Sequence, residues 1–267
     1  MQQALVFLSA PLVMCFILVG IHCYLGLHVL ARGVIFVDLA LAQVAALGTT
    51  IAFLFGYDHD HFNSYLISLT STFLASYFFS LANQSNKKVS LEAIIGIVYA
   101  FSSAVVILLI DRMSHGAEHL KYALVGQLLW VTWPEVLKTL AIYTVVSIVH
   151  IVFREKFFES SLGKSNKAFW DFLFYALFGV VITSSVHVSG VLLVFSFLIV
   201  PAILGSMFFR SITSRLTFGW ALGFVLCTLG MLLSYKWDLP SGAFIVVIFT
   251  LTPILTILFL RLKARLG

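Results

Sequence analysis

The chain has 267 residues, of which 61% are hydrophobic and only 10% are charged. A soluble domain carries roughly 25% charged residues because its surface must be solvated, so this composition excludes an ordinary water-soluble fold. The net charge of +5 does not indicate nucleic-acid binding, because Lys and Arg are placed as membrane proteins place them, in the loops on one side.

Nine apolar runs follow one another along the chain, each of a length suited to a membrane-crossing helix. They cover about 4–24, 34–56, 64–84, 91–110, 130–153, 168–187, 190–209, 217–235 and 241–260. Only helices and closed barrels span lipid, and the alternating pattern of barrel strands is absent. The sequence therefore predicts an all-α polytopic bundle of about nine spans in a single domain over residues 1–267. Residues 184–190 lack a charged loop, so eight spans remain the alternative.

Charge asymmetry predicts the orientation of these spans. With the N-terminus outside, the inner loops carry Arg32, Lys87, Lys88, Arg154, Lys156, Lys164, Lys167, Arg210, Arg215, Arg261, Lys263 and Arg265. The outer loops keep only Arg112, Lys121 and Lys236. Because cytoplasmic loops are enriched in Lys and Arg, this bias indicates an N-out, C-in topology in the cell membrane.

Histidines and carboxylates show the opposite asymmetry and gather in the predicted outer loops. The candidates for an outer metal-entry site are Asp58, His59, Asp60, His61, His115, Glu118, His119 and His187. Imidazole and carboxylate groups are ligands that zinc and manganese accept. The alternative is that outer loops need polar residues of some kind, and it is weakest for the continuous run at 58–61.

Several signatures are absent from the sequence. No GxxxxGK[ST] phosphate loop occurs, so the chain is not expected to hydrolyse ATP itself. Neither a GxSxG elbow nor an HExxH helix indicates an enzyme. Cys15, Cys23 and Cys227 lie in apolar runs without metal-ligand spacing and are interpreted as packing residues.

Four stretches in chain order resemble the permeases of zinc, manganese and chelated-iron ABC importers. They are GIHCYLGLHVLARGVIFVDLALAQVAALG, LEAIIGIVYAFSSAVVILL, EHLKYALVGQLLWVTWPEV and VSGVLLVFSFLIVPAILGSMFF. The resemblance covers nearly the whole chain, and the last stretch, with its Gly-Val-Leu-Leu-Val and Pro-Ala elements, is the most specific match.

The resemblance implies a metal site in the second span, where the family has an Asp followed four residues later by a His. Asp38 occupies the Asp position, but Ala42 stands at the His position and Gln43 is its neighbour. Residues i and i+5 are turned apart by roughly 140° on a helix, so Gln43 can contribute only through a distorted helix or a second subunit. An ionisable residue inside a span costs at least ~2.5–3.5 kcal/mol, which favours a functional role for Asp38. The alternative is a capping role near a helix N-terminus.

The segment after Pro201 resembles the coupling element that sits in a groove of the ATPase in such importers. We expect Pro201 to kink or end a helix and residues 205–215 to form a short coupling helix. Its contact residues are Met207, Phe208, Phe209, Arg210 and Arg215. The alternative is an ordinary basic loop.

The inner loop at 154–167 is amphipathic in part. Phe157, Phe158 and Trp170 suit an interfacial depth, which predicts that this loop lies on the membrane surface.

The function that the resemblance implies is ATP-driven import of a divalent transition-metal ion, zinc above manganese or iron, by alternating access in a homodimer. The expected partners are a second copy, a cytoplasmic ABC ATPase dimer, an extracytoplasmic metal-binding protein and the lipid membrane, and no nucleic acid. No cofactor is expected to be bound permanently. The alternatives are a cobalamin/siderophore-type permease, which is a longer chain, and a stand-alone secondary metal carrier, which would need several intramembrane carboxylates or histidines.

Overall fold

The computed structural model describes residues 2–58, 61–85, 89–113, 116–163 and 168–266. Within these ranges the chain forms eleven α-helices, one 3₁₀ turn at Leu128–Trp130 and no strand. The helices are α1 (Gln2–Arg32), α2 (Val37–Leu54), α3 (Phe62–Ser85), α4 (Leu91–Ile110), α5 (Gly116–Val125), α6 (Trp133–Val152), α7 (Arg154–Ser161), α8 (Ala168–Ser189), α9 (Val191–Phe208), α10 (Ile212–Trp237) and α11 (Ser241–Leu266).

Nine of the described helices are long and apolar enough to cross a membrane, which confirms the predicted span number and the all-α class. The two helices outside this set are α5 and α7, which lie in segments predicted as loops. The first span was predicted to end near residue 24, but α1 continues to Arg32. The extra turns are possible because the Arg32 side chain is buried against other helices instead of facing water.

The division left open at residues 184–190 is a break at a single glycine. Helix α8 ends at Ser189, helix α9 begins at Val191, and Gly190 between them has a φ of 77°. A Cβ at Gly190 would lie 2.5 Å from the backbone nitrogen of Gly126 and 2.6 Å from the carbonyl oxygen of Leu124. Two backbones of the second unit therefore touch at this break, and only glycine fits both the torsion angle and the space.

We predict that Gly190→Ala lowers the unfolding temperature of the purified protein, because strain at a positive φ costs about 1–3 kcal/mol before the backbone clash is added. Gly96→Ala is the matched control, since a Cβ at Gly96 meets no atom within 4 Å. Equal unfolding temperatures for the two variants in detergent would contradict this account of the break.

The helices group into two compact units. The first contains α1 up to Leu27, the segment Gln127–Leu137 and the chain from Leu192 onward. The second contains His28–Gly126 and Lys138–Val191.

In the second unit, α3 packs against α2 and α8 through a seam of small hydroxyl residues spaced four apart. The seam consists of Ser64, Ser68, Thr72, Ser76 and Ser80, all buried. The Ser68 hydroxyl donates to the carbonyl of Ala45 at 2.8 Å, and the Ser76 hydroxyl donates to the carbonyl of Tyr175 at 2.9 Å. Small residues let helix backbones approach closely, and interhelical hydrogen bonds hold them where lipid supplies no hydrophobic driving force.

In the first unit, α9 runs through Pro201 instead of ending there, because the carbonyl that the proline leaves unpaired finds another donor. Proline has no N–H, so the carbonyl of Phe197 one turn earlier loses its helical partner. The Cys23 thiol of α1 donates to this carbonyl at 3.9 Å. Cys15, Cys23 and Cys227 are all buried and free, as packing residues would be, and Cys23 has this additional contact.

The prediction that Phe157 lies at the membrane surface is wrong, whereas that for Phe158 and Trp170, both half-buried, stays a prediction. Phe157 is fully buried and stacks on His150 with 4.1 Å between ring centroids, and the Phe158 ring lies 4.5 Å from that of His28. These rings pack on protein because Ser160 and Ser161 fix α7 to buried polar groups. The opposite face of α7 is charged and exposed, with Lys156 bound to Glu159 at 3.5 Å.

Candidate transport site

Asp38 lies in the first turn of α2 and is only 1% exposed. Neither of its carboxylate oxygens has a hydrogen-bond partner within the described part of the chain. Asp38 does lie near a helix N-terminus, as the capping alternative predicted, but no side-chain hydrogen bond caps α2. An unpaired buried carboxylate is costly, and the partial positive charge of the helix N-terminus offsets only part of that cost.

Helix α2 is uninterrupted from Val37 to Leu54, so it does not bring Gln43 onto the face of Asp38. Gln43 and Ala42 are both buried, at 9% and 1% exposed. Because α2 is regular, a distorted helix is excluded as a way for Gln43 to join a site with Asp38. A contribution from a second copy of the chain is the way that remains.

Only part of the predicted outer site can be placed. Asp58 and His61 stand just before α3, where the His61 N–H donates to the Asp58 carbonyl at 3.0 Å and the His61 Nδ1 accepts from the Asn63 N–H at 3.2 Å. Glu118 is exposed in the first turn of α5. His59, Asp60 and His115 lie outside the described residues, as does the side chain of His119.

His187, in the last turn of α8, lines a cavity of about 40 Å³ together with Ser64, Tyr65 and Thr49. A space of this size holds a water molecule. Within the described ranges, no three His, Cys, Asp or Glu side chains form a group that could hold a metal ion. The described part of one chain therefore holds no preassembled outer metal site. That the outer residues bind an entering metal ion stays a prediction.

A buried ion pair that the sequence did not predict joins Arg32, at the end of α1, to Asp171, in the first turn of α8. One guanidinium nitrogen of Arg32 (Nη1) donates to Asp171 at 2.7 Å, and the two side chains are 5% and 7% exposed. The other two guanidinium nitrogens donate to Ser161 at 3.1 Å and to Ser160 at 2.9 Å. The remaining Asp171 oxygen accepts from the Asn83 amide at 2.9 Å.

This network joins α1, α3, α7 and α8 within the second unit. The guanidinium carbon of Arg32 also lies 4.1 Å above the ring centroid of Phe174, a favourable cation–π geometry. The charge pattern predicts Arg32 as an inner-loop residue, and Asp171 lies in an aromatic stretch. A lone Asp in an apolar run, with no local basic partner, is the signal that could have found it.

The predicted coupling residues lie at a corner between two long helices. Met207 and Phe208 end α9, Phe209 and Arg210 lie in the turn, and the Ser211 hydroxyl caps α10 by accepting from the Ser214 N–H at 3.1 Å. The expected separate short helix at 205–215 is wrong, because this cap starts α10 at Ile212. Arg215 holds the corner by donating to the Phe209 carbonyl at 2.9 Å.

The surface of this corner is apolar and basic. Met207, Phe208 and Phe209 are 43%, 48% and 38% exposed. The Phe209 ring contacts Phe218 with 5.2 Å between centroids. Three exposed apolar side chains beside Arg210 form a small apolar surface.

The nine apolar helices of spanning length in the described part of the chain define a multi-pass membrane protein. A family model described as the ABC 3 transport family matches residues 5–260. The chain belongs to this family and is a transport subunit, not an enzyme.

Curated relatives agree with this assignment, and a solved structure has a similar fold. The chain is 27% identical to the chelated iron transport system membrane protein YfeD of Yersinia pestis, over 98% of this chain and 86% of the relative. It is 24% identical to the manganese transport system membrane protein MntC of Listeria monocytogenes, over 88% and 84%. Its fold is similar to a chain of PsaBC from Streptococcus pneumoniae in complex with Fab, with a TM-score of 0.74 at 19% identity, covering 91% of this chain and 88% of that one.

Proposed function

We propose that this chain is the membrane-spanning subunit of an ATP-driven importer of a divalent transition-metal ion. The observation that carries the proposal is Asp38, whose buried carboxylate has no hydrogen-bond partner among the described residues. A buried charge is retained where it binds something, and a desolvated carboxylate binds a cation strongly. Membership of a transport family and relatives named for manganese and chelated iron support a metal ion as the cargo.

The donor set moves the expected metal from zinc towards manganese or ferrous iron. Asp38 and Gln43 both offer oxygen atoms, and Ala42 stands where the resembled family has an imidazole. Oxygen ligands suit manganese, whereas zinc sites usually include nitrogen or sulfur ligands. Zinc, which the sequence favoured, is therefore one of the three ions to be compared in the uptake experiment.

Two copies of the chain would supply a fuller site. One Asp38 offers at most two oxygens, and manganese favours six in an octahedral arrangement. A homodimer would bring a second Asp38 to the site. Gln43 of one copy would then lie beside the route of the ion through the other copy. The cytoplasmic ATPase dimer, the extracytoplasmic metal-binding protein and the location in the inner membrane belong to the same proposal.

The proposal is tested by uptake into proteoliposomes that contain the permease with its ATPase. The measurement is ATP-dependent accumulation of Mn²⁺, Fe²⁺ and Zn²⁺, each alone and in competition, at matched free-metal concentrations. We expect manganese or ferrous iron to be transported in preference to zinc. Accumulation of none of these ions, in vesicles that retain ATPase activity with the binding protein present, would contradict the proposal.

The orientation gives a prediction of its own. Residues 57–63 and 236–240 are expected to face outward, and residues 154–167 and the C-terminus inward, because the inner loops hold most Lys and Arg. Single cysteines in a cysteine-free background would be probed with a membrane-impermeant maleimide. We expect Asp238→Cys to react in intact cells and Glu159→Cys only after lysis. Reaction of Glu159→Cys from outside would overturn the orientation.

The corner at 207–211 is proposed to dock on the ATPase. Burying Phe208 or Phe209 in a partner groove would contribute about 1.5–3 kcal/mol each. Phe209→Ala with Arg210→Ala is therefore expected to reduce ATPase co-purification or to uncouple metal-stimulated hydrolysis from uptake. Arg215 is left intact because its contact with the Phe209 carbonyl shapes the corner.

The matched control is Phe55→Ala, which removes an aromatic ring that is 74% exposed just after α2, at the end of this helix that is predicted to face outward. Co-purification and metal-stimulated hydrolysis at wild-type levels in the double variant would contradict docking at this corner.

A further inference from the structure

A polar cavity of about 330 Å³ lies at the end of the second unit where α1 ends and α2 and α4 begin. Its lining includes the side chains of Arg32, Asn83, Glu92, Ser160 and Tyr175. Under the proposed orientation this end faces the cytoplasm. The cavity is large enough for a cation with part of its hydration shell, since one water takes about 30 Å³ of liquid volume.

Glu92, in the first turn of α4, connects this cavity to the start of α2. Its Oε1 accepts a hydrogen bond from the Phe36 N–H at 3.1 Å, and Phe36 is the residue that precedes α2. Its Oε2 is buried and makes no hydrogen bond of good geometry to a described residue, although the backbone N–H of Ile35 also faces the carboxylate. Asp38, with two unpartnered oxygens, is two residues beyond Phe36. Asp38 and Glu92 therefore lie at the same helix N-terminus, Asp38 in the first turn of α2 and Glu92 bonded to the residue before that helix.

The charge of Glu92 is not cancelled by Arg32, although both residues line the cavity. Each guanidinium nitrogen of Arg32 donates to Asp171, Ser160 or Ser161, and Asp171 supplies the balancing negative charge. The described lining therefore has the unpaired negative charge of Glu92 together with hydroxyl and amide oxygens. Oxygen donors with one net negative charge are the surroundings that a hard divalent cation accepts.

We propose that Glu92 is a second carboxylate on the ion's route, which receives the divalent cation on the inner side of Asp38 and releases it through this cavity. This inference rests on the proposed function and extends it from one carboxylate to two. It also gives the Arg32–Asp171 pair a role, because the pairing of Arg32 with Asp171 keeps the guanidinium away from Glu92.

The test is Mn²⁺ uptake by the reconstituted permease–ATPase complex carrying Glu92→Gln. Glutamine keeps the oxygen that accepts from Phe36 and removes only the charge. We expect the maximal uptake rate to fall by about tenfold or more, the scale on which supporting groups of metal sites act, while basal ATP hydrolysis is preserved. Glu135→Gln is the matched control, because Glu135 caps its own helix by accepting from the Thr132 N–H at 2.7 Å, and its variant is expected to transport at the wild-type rate.

Glu92→Asp distinguishes a role in the route from a purely structural one, with uptake normalised to membrane abundance. If the charge matters, Glu92→Asp transports faster than Glu92→Gln; if the carboxylate only caps α2, Glu92→Gln transports as well as or better than Glu92→Asp. The inference is overturned if Glu92→Gln transports as well as or better than Glu92→Asp. It is also overturned if Glu92→Gln takes up Mn²⁺ at the wild-type rate while Asp38→Asn is inactive. Both results leave the proposed function intact. Failure of the wild-type complex to accumulate any divalent metal would instead be a failure of the proposed function.

Discussion

Asp38→Asn is expected to abolish metal uptake while the protein stays folded and bound to its ATPase. The substitution removes the charge and keeps the size of a side chain that is 1% exposed. Because the carboxylate has no described partner, its neutralisation breaks no hydrogen bond and relieves a desolvation cost. We therefore expect the unfolding temperature to stay equal or to rise. If the charge of Asp38 served only to stabilise the fold, the unfolding temperature of Asp38→Asn would fall.

The measurement combines ATP-driven Mn²⁺ uptake, membrane abundance and ATPase co-purification for wild type and Asp38→Asn. Wild-type uptake by the variant would mean that Asp38 acts only at the helix N-terminus. Ala42→His is the companion variant, because residues four apart share one face of α2. It is expected to shift metal preference towards zinc, since it adds an imidazole beside the carboxylate. Because Ala42 is only 1% exposed, the larger side chain is expected to lower abundance, so uptake is normalised to abundance, and an unchanged metal preference would contradict a site at Asp38 and residue 42.

Arg32→Ala is expected to reduce membrane abundance severely. The change leaves the charge of Asp171 buried with only Ser160 and Asn83 as partners, and breaking a buried pair by removing one member costs about 3–5 kcal/mol. Arg32→Lys is expected to rescue only in part, because an ammonium cannot reproduce the planar fork that binds Asp171 and both serines. Unfolding temperature and abundance would be measured for each variant.

Removing both charges should lower the stability of the protein less than removing one of them. Arg32→Met with Asp171→Leu takes away the uncompensated charge, so the double variant is expected to be more stable than Arg32→Ala. The exposed pair of Lys156 and Glu159 is the control, and Lys156→Ala is expected to change stability by less than about 1 kcal/mol. Equal effects of Arg32→Ala and Lys156→Ala would contradict the view that the buried network organises this end of the second unit.

Helix boundaries show where local sequence is sufficient and where it is not. The sequence predicted the fourth span at 91–110, and α4 is Leu91–Ile110, because Ser90 supplies a cap that accepts from the Ala93 N–H. It predicted a kink or an end at Pro201; α9 does not end there but continues to Phe208, and the kink stays a prediction. The difference comes from Cys23, far away in the chain, whose thiol donates to the carbonyl that the proline leaves unpaired.

The sequence by itself determined the all-helical class, the number of spans and Asp38 as the leading candidate residue. Hydrophobic length and isolated charges are local properties, and lipid allows few responses to them. Tertiary structure decided that Asp38 has no described partner, that Arg32 has several, and that Glu92 borders a cavity. These facts depend on which side chains meet across helices far apart in the chain, and no periodicity along one helix encodes that choice.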